Sequence, residues 1–122
     1  MKAGRTDSDY LADILDAVRK AREFVAGMSF EEFADDSRTL FAVIRALEIV
    51  GEAAKNVSPE HREAHPEVPW RDMAAMRDKL THGYFGVSSE VIWKTVQEDL
   101  PGLEAAVSAL PPRGFGPPSS DG

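Results

Sequence analysis

The chain has 122 residues, 14 Lys and Arg against 21 Asp and Glu, and a formal net charge of -7. One domain accounts for that length, since compact domains run about 100–150 residues, and 43% apolar residues suffice for a packed core. The lack of cysteine excludes disulfides, thiolate metal sites and cysteine nucleophiles, and the acidic balance excludes coating of nucleic acid by charge alone.

The polar start MKAGRTDSDY lacks the apolar centre of a secretory signal. No apolar run approaches the roughly 18–20 residues of a bilayer span. The expectation is a cytoplasmic protein with no membrane contact. A first helix is predicted from about Asp9 to Ala26, because Leu11, Ile14, Leu15, Val18 and Val25 follow one helical face. Gly27 is placed to stop it. Ser29 and Glu32 have capping-box spacing and predict a short helical turn. A longer helix follows over Ser37 to Asn56, with a stripe of Leu40, Ile44, Leu47, Gly51 and Ala54 widened by Phe41, Val43 and Val50. A face that wide packs on more than one neighbour.

Ser58-Pro59 is an N-cap followed by Pro at the first helical position, which opens a short helix. Pro66 and Pro69 confine the next link, and a helix is predicted from Trp70 with Met73, Met76 and Leu80 on its apolar edge and Gly83 at its end. Ser88 or Ser89 caps another helix carrying Val91, Ile92, Trp93 and Val96. Asp99-Leu100-Pro101 should break or kink it before a last segment with Leu103, Val107 and Leu110. The sum is an all-α antiparallel bundle of four to five helices within residues 1–110. PPRGFGPPSSDG, residues 111–122, has no apolar periodicity and reads as a disordered tail.

The chemistry-bearing stretch is Arg77-Asp78-Lys79-Leu80-Thr81-His82-Gly83-Tyr84. Arg77 offers a permanent charge and a planar fork that fits phosphate oxygens. His82 can give or take a proton near neutral pH. Together they suffice for metal-free phosphodiester cleavage, in which the imidazole moves a proton and the guanidinium stabilises charge on the phosphorus oxygens. On an ideal helix the two diverge by about 140°. They converge on one phosphate if the helix ends near His82 or if they border a cleft with a neighbour. Asp78, four residues before His82, is within reach to orient its imidazole. On spacing alone, the competing account is a cap or a solvated face, with His82 favouring the helix C-terminal dipole.

Other pairs are better explained without chemistry. His61 and His65 stand at i, i+4 and could share a metal, but no third ligand follows, so a solvated polar helix is expected and no metal or other cofactor. Glu48 and Glu52 lack the Glu-x-x-His partner of a di-metal bundle and should form an exposed charged stripe with Arg45 and Lys55, or part of a subunit contact. Trp70 and Trp93 are expected as core or interface anchors. Phosphate loops, dinucleotide fingerprints, nucleophile elbows and zinc-protease motifs are absent from the sequence.

Arg77-x4-His82-x-Tyr84, continuing as Phe85-Gly86-Val87, resembles the signature of HEPN-domain proteins, and within them the HepT toxin of the HepT–MntA toxin–antitoxin system. Supporting matches are the run Ile49 to Asn56 (IVGEAAKN), Val68-Pro69-Trp70, Met76-Arg77-Asp78, and Val91-Ile92-Trp93 followed by Asp99-Leu100-Pro101. The resemblance covers roughly residues 10–110. It implies a helical homodimer whose two motifs line a shared cleft, and a metal-independent endoribonuclease with Arg77 and His82 as the catalytic pair. It also implies a partner, an MntA-like nucleotidyltransferase antitoxin that attaches AMP to the motif tyrosine, here Tyr84. Phosphate charge and nucleotide bulk two residues from His82 would block phosphate entry. The alternative is a non-catalytic helical module that docks the nucleotidyltransferase or holds a nucleotide or RNA end. From Pro66 to Gly86, Arg71, Arg77 and Lys79 balance Glu67, Asp72 and Asp78, so the negative excess lies elsewhere. A confined site for a short exposed RNA segment is expected, with poor binding of long duplex.

Overall fold

A computed structural model describes residues 4–83 and 88–110, except for the side chains of residues 82 and 83. The described residues form seven α-helical segments and no strand. Helix α1 spans Asp7–Phe24, α2 Phe30–Ala34, α3 Ser37–Asn56, α4 Pro59–Ala64, α5 Trp70–Gly83, α6 Ser89–Lys94 and α7 Leu100–Ser108. The proposed tail at 111–122 lies outside the described residues. No helix among the described residues is long and apolar enough to cross a membrane.

Local signals set most helix starts. Thr6 caps α1, two residues earlier than the apolar pattern alone indicates, in a reciprocal box with Asp9. Ser29 and Glu32 make the same box on α2. Asp36 accepts from the backbone and hydroxyl of Thr39 to start α3, while Ser58 and Ser88 cap α4 and α6. Each satisfies a backbone N–H that the first helical turn leaves unpaired. Past the end of α1, Gly27 has a φ of +80°, the left-handed conformation that glycine adopts without steric cost.

Helix α3 is the centre of the bundle, packed against α1 on one side and α5 on the other. Asp7, at the start of α1, accepts from both the backbone N–H and the hydroxyl of Ser58, just past the end of α3, so the two helices run antiparallel. The buried face of α3 is Val43, Ala46, Leu47, Val50, Gly51, Ala53 and Ala54. Of the expected stripe, Leu47, Gly51, Ala54, Val43 and Val50 are buried, Leu40 and Ile44 are partly buried against the core, and Phe41 is 70% exposed. Alanines at 46, 53 and 54 on the buried face leave room for neighbouring helices to approach closely.

Helix α7 closes against α1, where Glu104 accepts from Arg19 at 2.9 Å and from Arg22 at 2.6 Å. Of the expected break or kink at residues 99–101, the break is absent: a π-helical turn, Thr95–Asp99, precedes Pro101 and the chain stays helical from α6 into α7. Pro101 cannot donate to the carbonyl four residues earlier, and its ring crowds that turn. The widened turn ahead of it absorbs the mismatch. Trp93 on α6 sits beside Phe33 and Phe30 of α2, with ring centroids 5.4 and 6.0 Å apart.

Candidate functional site

The placement of Arg77 begins with Gly51. A Cβ at that position would lie 2.2 Å from the Cβ of Arg77 and 2.6 Å from the carbonyl oxygen of Met73. No side chain larger than hydrogen fits there, so glycine lets α5 rest directly on α3. At this crossing Arg77 is carried against the next residue of α3: its Nε lies 3.1 Å from Oε1 of Glu52. The guanidinium Nη1 also donates to Asp78 Oδ1 at 3.2 Å, and Lys55 Nζ lies 3.5 Å from that same oxygen. The result is a chain of alternating charge, Glu52–Arg77–Asp78–Lys55, spanning two helices. The Arg77 hydrogen bond, with Lys55 adding to it, holds the Asp78 carboxyl below its ordinary pKa.

Glu52 and Lys55 therefore do not form a stripe that closes on itself along α3. Only Arg45 and Glu48 pair within that helix, at 3.4 Å. Glu52 and Lys55 reach across to α5. As for Asp78, its described partners are Arg77 and Lys55. The side chain of His82 and the whole of Tyr84 lie outside the described residues, so the expected contact between Asp78 and His82 is not among those described. The backbone of residue 82 belongs to α5, whose last described residue is Gly83.

Arg77 opens on a groove of about 600 Å³ between the N-terminal half of α1, α3 and α5. Its side chain is 27% exposed, enough for a ligand to reach while two carboxylates fix its direction. Arg45 and Glu48 line one wall, Arg5 and Asp13 another, and Ile49 and Ala53 form an apolar stretch of floor. Three guanidinium groups thus face one groove, each paired with a carboxylate: Arg5 with Asp13, Arg45 with Glu48, Arg77 with Glu52. Such a groove is near neutral, yet it presents three planar forks suited to phosphate oxygens. Sequence reasoning singled out Arg77 but missed Glu52 as its partner and Arg5, Tyr10 and Asp13 as neighbours. The only sequence signal for Glu52 is its position beside Gly51.

The histidine pair of α4 needs a correction. His61 is not solvated: it is 1% exposed, with its ring centroid 4.7 Å from that of His65 and 6.3 Å from that of Trp70. Trp70 donates through Nε1 to the carbonyl of His65 at 2.9 Å, which draws the α4–α5 link onto the core. Prolines at 59, 66 and 69 restrict this link, and burial of the ring follows from that fold-back. Among the described residues, no group of three or more His, Cys, Asp or Glu is arranged to hold a metal ion.

The family model "Ribonuclease HepT-like" matches residues 14–110. The chain is 53% identical over 106 residues to "Probable ribonuclease HepT" of Thermococcus cleftensis, covering 87% of this chain and 96% of that protein. It is 45% identical over 106 residues to "Putative RNase TTE0752" of Caldanaerobacter subterraneus subsp. tengcongensis, covering 87% and 95%. A protein of Methanocaldococcus jannaschii named "Putative RNase MJ1380" is 40% identical over 101 residues, covering 83% and 93%. No solved structure gives a significant match.

Proposed function

The chain belongs to the HepT-like ribonuclease family, and on that premise we propose that it is a metal-independent endoribonuclease, the toxin of a toxin–antitoxin pair, acting through Arg77 and His82. The observation that carries this reading is the seat of Arg77: a half-shielded guanidinium at the lip of a groove, directed by Glu52 and Asp78 before any substrate arrives. A donor fork held in advance need not reorganise as charge gathers on phosphorus.

In the proposed reaction, the imidazole of His82 removes the proton of a ribose 2′-hydroxyl. That oxygen attacks the adjacent phosphorus, the bond to the 5′-oxygen breaks, and a 2′,3′-cyclic phosphate forms. Arg77 stabilises the non-bridging oxygens. The leaving oxygen needs a proton, and a twofold homodimer supplies a second imidazole for it from the same motif. Tyr84, two residues beyond His82, is the proposed site of adenylylation by a nucleotidyltransferase antitoxin. The added phosphate would compete for Arg77 and exclude RNA.

Incubating the purified chain with single-stranded RNA should yield fragments ending in 2′,3′-cyclic phosphate, in the presence of a chelator. His82→Ala should reduce the rate by about 10²–10⁴-fold and Arg77→Ala by about 10²–10³-fold, with helical content unchanged by circular dichroism. Cleavage at the wild-type rate by either variant removes the catalytic assignment. Absence of any cleavage by the wild-type chain leaves the non-catalytic module as the better account, and cleavage without cyclic-phosphate ends points to attack by water in place of the 2′-hydroxyl.

A further inference from the structure

The groove that holds Arg77 has a second end with different chemistry. At the start of α1, the guanidinium carbon of Arg5 lies 4.7 Å from the centroid of the Tyr10 ring. Tyr10 is partly buried and packs against the core. Arg5 is therefore the outward layer of a two-layer stack, and its ion pair with Asp13 ties it to α1. Both Arg5 and Tyr10 line the groove together with Ile49, Ala53 and Arg77.

A guanidinium plane lying on an aromatic ring continues a π stack, and nucleobases dock on such planes. The apolar floor of Ile49 and Ala53 offers a surface that a ribose phosphate would not use but the face of a base would. Single-stranded RNA alternates flat bases with anionic phosphates, and the groove brings the Arg5–Tyr10 pair together with the guanidinium forks of Arg45 and Arg77. This is the pattern of single-strand binding sites, which combine cations that follow the backbone with planar groups that carry the bases. A volume of about 600 Å³ falls within the range of small-ligand sites.

Building on the ribonuclease reading above, we propose that Arg5, backed by Tyr10, is a nucleobase-stacking subsite for a nucleotide flanking the phosphate held at Arg77. It would make the enzyme select unpaired RNA, because a base within a duplex is already stacked and cannot extend onto Arg5.

The test uses the full chain carrying His82→Ala, so that RNA stays intact, and fluorescence anisotropy with two labelled single-stranded RNAs. One is intact and the other has abasic residues at alternate positions. The parent should bind the intact strand about tenfold more tightly, the fold-change expected of one base stack. Arg5→Lys keeps the charge but removes the plane, and it should abolish this preference while leaving the salt dependence of binding unchanged. Tyr10→Leu, which keeps apolar packing, should reduce the preference as well. No preference in the parent, or an unchanged preference in Arg5→Lys, overturns the proposal. The two readings fail separately: Arg77- and His82-dependent cleavage with an Arg5-independent preference removes only the subsite. Normal cleavage by Arg77→Ala with an Arg5-dependent preference removes only the catalytic assignment.

Discussion

A Cβ added at Gly51 would meet the Cβ of Arg77 and the carbonyl oxygen of Met73, neither of which is the free end of a flexible side chain. Gly51→Ala must therefore push α5 away from α3, at an expected stability cost of about 1–3 kcal/mol. It should also lengthen the Arg77–Glu52 contact and lower RNA cleavage more than the loss of stability explains, read by urea unfolding and by kinetics at a temperature where the variant is folded. Asp78 makes a pH statement possible. Its folded-state pKa is depressed, chiefly by the Arg77 hydrogen bond. The stabilisation it contributes is then fully present above the ordinary aspartate value of about 3.9 and is lost as pH falls through the depressed value. Denaturant midpoints of wild type and Asp78→Asn should differ by a constant amount from pH 5 to 8 and converge only in acid. A difference that disappears near neutral pH would contradict the assignment. Arg77 was legible as a chemical group because its motif lies within eight residues. Glu52 was not, because it sits on another helix 25 residues earlier, and only the glycine contact brings the two together.

Helix boundaries follow closely from local rules, since caps and prolines act within one turn of the positions they control. Ser37 to Asn56 and the start at Trp70 coincide with the observed ends. Faces are less legible. Phe41 belongs by spacing to the apolar side of α3 yet is exposed, because that side is wider than the surface α1 and α5 cover. His61 errs the other way: polar by type, it is folded under a link that three prolines and the Trp70 hydrogen bond draw inward. At this scale the strongest test is the small α2 helix. Phe33 has no exposed surface and fills the space between α2 and Trp93. Phe33→Ala should cost about 3–5 kcal/mol, measured by chemical denaturation, with α2 losing amide-exchange protection before α1 and α3 do. A cost under about 1 kcal/mol would mean that α2 is not anchored through this ring.

For the molecule as a whole, the net charge of -7 opposes RNA binding at long range, whereas the groove is locally balanced, with three arginines each paired with a carboxylate. If Arg45 and Arg77 contact phosphates while Arg5 carries a base, the logarithm of single-strand affinity should fall with the logarithm of salt at a slope of about -1.4. Long random duplex should bind poorly at physiological salt, and tight duplex binding there would refute the confined-site reading. What can be read from the amino acids alone is the all-helical class, most helix ends and the Arg-x4-His-x-Tyr family signature, because each depends on residues within a turn or two of one another. Packing between distant segments decided the rest: which carboxylate holds Arg77, which histidine is buried, and that the first residues of α1 share a groove with the motif. These depend on how closely helices approach, and that is governed by side-chain volumes at crossings such as Gly51, a quantity with no periodic trace in the sequence.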